Sequence, residues 1–424
     1  MSEKLAAEGG PRARTTPFPT VGDASGRDLG EEELALLTEV IRSGCLSRHG
    51  GTMVPAFEAE FGARYGVRHC LAVTSGTAAL HTAVGALGLN PGDEIITTTV
   101  TDMGTVIAIL MQNCLPIFCD VDRRTMNLNP ALLPSLITER TRAIIAVHLF
   151  GQPCDLDAVM AVAREHHLVV IEDCAQAHGA EWGGQLVGTI GDLGCFSLQQ
   201  SKQITTGDGG AVITNNDELG EAARMFHDKY YDRSGANRGV LRLGANYRMT
   251  ELQGAVALAQ TRKLDRILAR RRSTGELLTE RLREIEGTVP PWLHEKARHS
   301  YWIYPFQIAE EVLGCPVVEF TAAIQAEGLP WGTGYAGGIP ICLYPALREH
   351  RAYGDSAFPW EPPYGRNVEY REEDYPETVW AQRNTLVMNW NEGLTETDVQ
   401  DMARGMAKVA AHYRARGPAP APAI

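Results

Sequence analysis

The stretch Leu193-Gly194-Cys195-Phe196-Ser197-Leu198-Gln199-Gln200-Ser201-Lys202-Gln203-Ile204-Thr205-Thr206-Gly207-Asp208-Gly209-Gly210-Ala211-Val212-Ile213-Thr214 holds two short apolar runs around a polar, Gly-rich loop. Each run has the length and composition of a buried strand. Only a loop separates them, so this part of a sheet is expected to be antiparallel. The loop carries Lys202 at a strand exit, among small polar residues. Burial there can strip the ammonium of its proton and leave a nucleophilic amine. A lysine taken alone is ordinarily a solvated surface charge. What overrides that reading is the rest of the chain.

Five further β-rich runs precede this pair: Leu71–Ser75, Glu94–Thr99, Leu115–Val121, Arg142–Leu149 and Leu168–Cys174. Helix-patterned segments such as Thr77–Leu87 and Leu156–His166 lie between several of them. Strands alternating with helices predict an α/β domain built on a mainly parallel seven-stranded sheet. That large domain is expected over residues 21–255, after an N-terminal tail at 1–20. A long amphipathic helix from Glu251 to about Ile285 follows, then a smaller C-terminal α+β domain; helix and domain together occupy 256–415. The strand-like Ser300–Ile308 and a helix near Thr395–Arg414 belong to it. The Pro-Ala end, 416–424, reads as a disordered tail.

The chain has 424 residues and a formal charge of −13, which argues against a nucleic-acid partner. Its densest basic run is Arg262, Lys263, Arg266 and Arg270-Arg271-Arg272, interleaved with Leu264, Ile267 and Leu268 at helical spacing. This reads as a solvated helix face. Nine cysteines with no CxxC pair read as reduced core residues of a cytoplasmic protein. No apolar run is long enough to span a bilayer, and His166-His167 lacks a ligand spacing, so neither membrane nor metal is expected.

Three segments at strand ends carry chemistry. Ser75-Gly76-Thr77-Ala78-Ala79-Leu80 opens a helix with small residues, which suits a phosphate at the helix N-terminus or a simple N-cap. Asp173, in Ile171-Glu172-Asp173-Cys174, closes an apolar run at the lip of the sheet, where a carboxylate needs a cation. Lys202 follows Ser197. A phosphate anchor, a carboxylate for a ring nitrogen and an aldehyde-trapping lysine together match the needs of pyridoxal 5′-phosphate.

These segments, with Val147-His148-Leu149-Phe150-Gly151-Gln152-Pro153, Glu172 to Gly179 and Asn246-Tyr247-Arg248-Met249, resemble the DegT/DnrJ/EryC1/StrS family of fold-type-I sugar aminotransferases. The resemblance runs from about Gly30 to the C-terminal helix. It implies that Lys202 forms the Schiff base and Asp173 pairs with the pyridine nitrogen. It implies further that Gln176 touches the phenolic oxygen, while Gly76, Thr77 and Ser197 bind the phosphate. Asn246 would reach that phosphate from the neighbouring subunit of a homodimer, with the loop His227–Gly244 crossing the interface. Two positions depart from the pattern. Asp102 stands where an aromatic residue usually covers the ring, which leaves Met103 as the candidate apolar contact. Asp208 stands where Glu is usual.

The expected reaction moves an amino group from glutamate or glutamine to a keto-sugar or keto-cyclitol, in amino-sugar or aminoglycoside biosynthesis. Glu8-Gly9-Gly10-Pro11-Arg12 resembles the start of members acting on cyclitols. The rivals are a sugar dehydratase of the same fold, in which the resemblance implies histidine at Lys202, another reaction of the same cofactor, and a non-catalytic sensor. Substrate contacts are expected from Ser43–Gly51, His227–Gly244 and Trp331–Gly338, whose aromatics either stack on a sugar or fill core.

Overall fold

The computed structural model describes residues 3–233, 235–236 and 239–416. The tail expected to be disordered, beyond Arg416, lies outside the described residues. Strands β1 (His69–Val73), β2 (Glu94–Thr98), β3 (Leu115–Cys119), β4 (Thr141–Val147), β5 (Val169–Asp173), β6 (Leu193–Ser197) and β7 (Gly210–Thr214) form one seven-stranded sheet. Their spatial order is β1-β7-β6-β5-β4-β2-β3. All pairings are parallel except those of β7, which runs antiparallel to both β1 and β6. Each of the seven runs thus overlaps one strand of this sheet, β1 and β4 starting one or two residues earlier than their runs.

The strands are buried along nearly their whole length because both faces of the sheet are covered. Successive residues point to opposite sides. On β7, Ala211 and Ile213 join the cluster around Phe57, Phe61 and Phe196. Val212 joins the other face, with Leu80, Val84 and Ile145. The helix Gly76–Ala86 is buried over nearly all its length, so its small residues permit close packing on the strands.

The helix Glu251–Arg283 runs for 33 residues and begins with a capping box from Thr250 and Gln253. Its basic run is not the solvated face that helical spacing suggested. Lys263, Arg271 and Arg272 are buried, and only Arg262, Arg266 and Arg270 face solvent. The helix packs against elements on several sides, so alternate cations turn inward and need partners. Lys263 Nζ meets Glu33 Oε2 at 2.7 Å, and Arg271 grips Glu392 from two nitrogens at 3.0 and 2.7 Å. Arg272 donates to the carbonyls of His299 and Gly179.

The C-terminal region carries a four-stranded sheet, with Ile303–Ile308 and Thr385–Asn389 antiparallel at its centre. The helices Val317–Ala326 and Glu396–Arg416 pack on it, which gives the α+β arrangement. Trp331 is buried in this core. The segment before residue 20 is packed too. Leu5 joins the same core, while Glu327 accepts the N–H groups of Ala6 and Ala13. Among the described residues no helix is long and apolar enough to cross a membrane. All nine cysteines are free, and eight are buried.

Candidate active site

In a parallel sheet the loops leaving the carboxyl ends gather at one edge. Here β1 delivers Ser75, β2 delivers Asp102, β5 ends on Asp173 and β6 ends on Ser197. Because β7 starts at that edge, the intervening loop with Lys202 is held there as well. A cavity of about 330 Å³ opens among these residues. Gly76, Thr77, Asp173, Gln176, Ser197 and Lys202 all line it. Two expected residues are elsewhere. Asn246 is exposed and paired through its backbone with Asp228, and it does not line the cavity of its own chain. Met103 begins the helix Met103–Met111, but its side chain packs with the cluster around Val106, Leu110 and Phe118. Helical geometry turns it away, so Asp102 and Gly104 form the wall at that place instead.

Two close approaches shape the cradle. A Cβ on Gly76 would sit 2.7 Å from Ser197 Cβ, and one on Gly104 would sit 2.6 Å from Thr77 Oγ1. Glycine at both positions lets the N-termini of the helices Gly76–Ala86 and Met103–Met111 converge. Ser75 Oγ already accepts the N–H of Ala78 at 3.0 Å. The N–H groups of Gly76 and Thr77, in the first helical turn, have no intrahelical acceptor and suit an anion.

Asp173 is buried and held from two sides. Its Oδ1 accepts the N–H of Ala175 at 3.1 Å, and its Oδ2 accepts the hydroxyl of Thr105 at 2.8 Å. Thr101 lies 2.7 Å from the Thr105 hydroxyl, so the pair forms a short relay onto the carboxylate. Burial raises the Asp173 carboxyl above its usual range, outweighing Thr105, Ala175 and Lys202, which act the other way. Burial also depresses the Lys202 amine to about 8, against the pull of Asp173 and Asp102. Both shifts have one origin: neither charge is adequately solvated in this cavity. The face of Trp302 lies 3.6 Å from Lys202 Nζ and offsets part of that loss.

Glu172, one residue earlier, has the opposite fate. Burial alone would raise its carboxyl, yet bonds from His148, Gly188 and Gly191 hold it below the usual range. Cys154 N–H donates to His148 Nδ1 at 3.0 Å, so Nε2 carries the proton directed at Glu172. Among the described residues His148, Glu172 and Cys174 form the one cluster with metal-ligand proximity. Hydrogen bonds already occupy the His148 nitrogens and both Glu172 oxygens, which gives this group a structural role.

Four further side chains shape the site. Thr105, Trp302 and Arg27 had no role in the expectation from sequence, while Tyr335 belongs to the Trp331–Gly338 stretch expected to contact substrate. Thr105 orients Asp173. Trp302 covers Lys202, and its indole N–H donates to Ser201 O at 2.9 Å. Tyr335 accepts from the Gln176 side-chain amide at 3.2 Å. Arg27, buried near the N-terminus, donates to the Lys202 carbonyl at 2.7 Å. Of the aromatic stretch near residue 335, Trp331 therefore fills core and Tyr335 lines the cavity.

The residues fit pyridoxal phosphate. The paired helix ends form a cradle that a Cβ would fill, the buried Asp173 needs a cation, and a lysine of depressed basicity faces it. A fold of this topology with such a site is a pyridoxal-phosphate-dependent enzyme of fold type I. The chain belongs to the DegT/DnrJ/EryC1/StrS aminotransferase family, whose model matches residues 27–407. It is accordingly an aminotransferase. It is 37% identical to a putative L-glutamine:3-amino-2,3-dideoxy-scyllo-inosose aminotransferase of Streptoalloteichus tenebrarius, over 96% of this chain and 98% of that protein. With the L-glutamine:2-deoxy-scyllo-inosose aminotransferase of the same organism it shares 34% identity, over 97% and 99%. The crystal structure of S. venezuelae DesV in complex with a ketimine intermediate has a TM-score of 0.81 at 27% identity, covering 94% of this chain and 99% of that one.

Proposed function

We propose that this enzyme transfers the amino group of L-glutamine to the ketone of a cyclitol or sugar. The observation that carries the reading is the buried Lys202 facing Asp173 above a helix-end cradle. Relatives named for L-glutamine and inosose substrates support the choice of donor and acceptor. A cavity lined in part by the aromatic side chains of Trp302 and Tyr335 suits a polyhydroxylated ring.

Pyridoxal phosphate, when bound, supplies an electrophilic aldehyde carbon and a ring that accepts electron density. The protein's own groups do the rest. Lys202, with its amine free, would take a proton from the donor's α-carbon and pass it, on the same face, to the adjacent carbon of the bound cofactor. A neutral amine is needed for that step, and burial provides it. Asp173 stays ionised once a protonated ring nitrogen faces it, and Thr105 fixes its orientation. Gly76, Thr77 and Ser197 hold the phosphate, while Gln176 reaches the ring oxygen. Trp302 and Tyr335, both from the C-terminal region, shield the site from water.

The working unit in this reading is a cytoplasmic homodimer in which Asn246 completes the partner's phosphate site. Exposed Leu34, Ile41, Leu46 and Leu243, the last 93% exposed, support a surface meant for burial. The test is direct. L-glutamine should bleach the yellow holoenzyme, and a keto-cyclitol or keto-sugar should restore the colour. Full turnover in Lys202→Ala would overturn the reading.

A further inference from the structure

The loop 198–209 belongs to no helix or strand, yet it carries the reacting lysine. Its buried backbone groups need partners from elsewhere in the chain. Three successive carbonyls find them on side chains. Ser201 O accepts the Trp302 indole N–H at 2.9 Å, Lys202 O accepts Arg27 Nη1 at 2.7 Å, and Gln203 O faces Arg27 Nη2 at 3.4 Å. Arg27 thus holds the main chain of Lys202, while the ring of Trp302 lies 3.6 Å from its amine.

One buried carboxylate ties these two holders together. Arg27 Nη1 lies 3.8 Å from Glu392 Oε1, and Arg271 grips Glu392 Oε2. Arg271 also donates to the carbonyl of Tyr301, next to Trp302, at 3.0 Å. It donates as well to the carbonyl of Trp390, whose own N–H meets Trp302 O at 2.9 Å. The side chains of Arg27, Glu392 and Arg271 are at most 2% exposed. Every one of these contacts is made within a single chain. Stability is a poor reason for such a ladder, because apolar residues of similar volume commonly serve as well or better. Burial even lowers the Arg27 guanidinium to about 10, against the pull of Glu392.

We propose that Arg27 is a positioning residue for the reaction: it fixes the Lys202 main chain so that the amine stands buried against Trp302. The inference rests on Lys202 as the amine that takes the cofactor. A lysine side chain passes any displacement of its Cα on to the amine. With the Lys202 carbonyl released, the loop relaxes, the amine leaves the Trp302 face and water reaches it. Its basicity then returns toward that of an ordinary lysine, because burial is the first cause of its depression to about 8. The titratable groups facing this amine are Asp173 at the end of β5, Asp102 before the helix Met103–Met111, and His178 beyond β5. A substitution at Arg27 leaves all three in place.

The test mixes the cofactor-free wild type, Arg27→Met and Arg27→Gln with pyridoxal phosphate. Stopped-flow absorbance follows the yellow Schiff base from about pH 6 to about pH 9, a range that brackets the Lys202 amine. The amplitude reports how much protein is folded, whereas the rate constant and its pH midpoint report the amine in each folded site. In Arg27→Met the midpoint is expected to rise by about one unit and the rate constant at neutral pH to fall about tenfold. Arg27→Gln, shorter but still a donor, is expected to shift the same way by less, and it is read alone where Arg27→Met does not fold. An unchanged rate constant and midpoint in the variant read overturns the proposal, even with a lower amplitude or a lower stability in urea. That result would mark Arg27 as purely structural. A Lys202→Ala protein that turns yellow as fast as the wild type would instead sink the assignment of Lys202, independently of Arg27.

Discussion

The depressed basicity of Lys202 has a measurable consequence for how the cofactor-free protein captures pyridoxal phosphate. Only the neutral amine attacks an aldehyde. With the amine at about 8 instead of the usual 10.5, its neutral fraction near pH 7 is about one in ten, against about one in three thousand for an ordinary lysine. Capture is therefore expected to run about 300-fold faster than with a solvated lysine side chain. Stopped-flow absorbance, following the yellow Schiff base from about pH 6 to about pH 9, reports this directly. The rate should climb tenfold per pH unit at first and level off just above 8. The same group affects stability with a definite sign. The unfolded chain binds the lysine proton more tightly, so the cofactor-free protein gains stability as pH rises from about 8 to 10.5. A capture rate still climbing tenfold per unit past pH 9 would show that burial does not depress Lys202, and the argument would fail.

Gly76→Ala should weaken cofactor retention, because the new methyl meets Ser197 Cβ at 2.7 Å; overpacking of about 1–3 kcal/mol is expected, read from cofactor titration. Thr105→Val removes a donor from Asp173 and should lower kcat about 10- to 100-fold, with Thr105→Ser restoring most of it. Arg271→Met leaves the buried Glu392 only Arg27 at 3.8 Å and the Asp28 N–H, and should cost about 3 kcal/mol in urea unfolding, whereas Arg266→Ala on the exposed face should cost under about 1 kcal/mol. If Asn246 serves the partner's site, mixing Lys202→Ala with Asn246→Ala should restore about a quarter of wild-type activity, since half the dimers are mixed and each has one intact site. No recovery after subunit exchange would place Asn246 outside the partner's site.

Much of the large sheet was legible because its strands are buried on both faces and read as β-rich runs with little exposed polar alternation. The antiparallel β7 was legible too, since the loop from Leu198 to Gly209 carries no crossover helix. Gly76, Thr77, Asp173, Gln176, Ser197 and Lys202, named from strand ends and from the family resemblance together, line one cavity because the parallel topology brings separate segments to one edge. Residue count placed Asp102 at the ring position and Met103 was chosen only for its apolar side chain; the structure lines the cavity with Asp102 and packs Met103 into the cluster around Val106 and Leu110.

The fate of the basic run shows the other limit. Helical periodicity marks faces, but Lys263 and Arg271 are buried because Glu33 and Glu392, distant in sequence, meet them there. Arg27 and Trp302 reach the site from segments far from Lys202 in the chain. No local pattern announces them. The sequence by itself determined the sheet and, through the family's motifs at strand ends, the cofactor, and it singled out Lys202, because these depend on local periodicity and on short ordered motifs. Tertiary structure alone decided how basic that lysine is and which side chains cover it, because desolvation is set by whatever the rest of the chain packs around a charge.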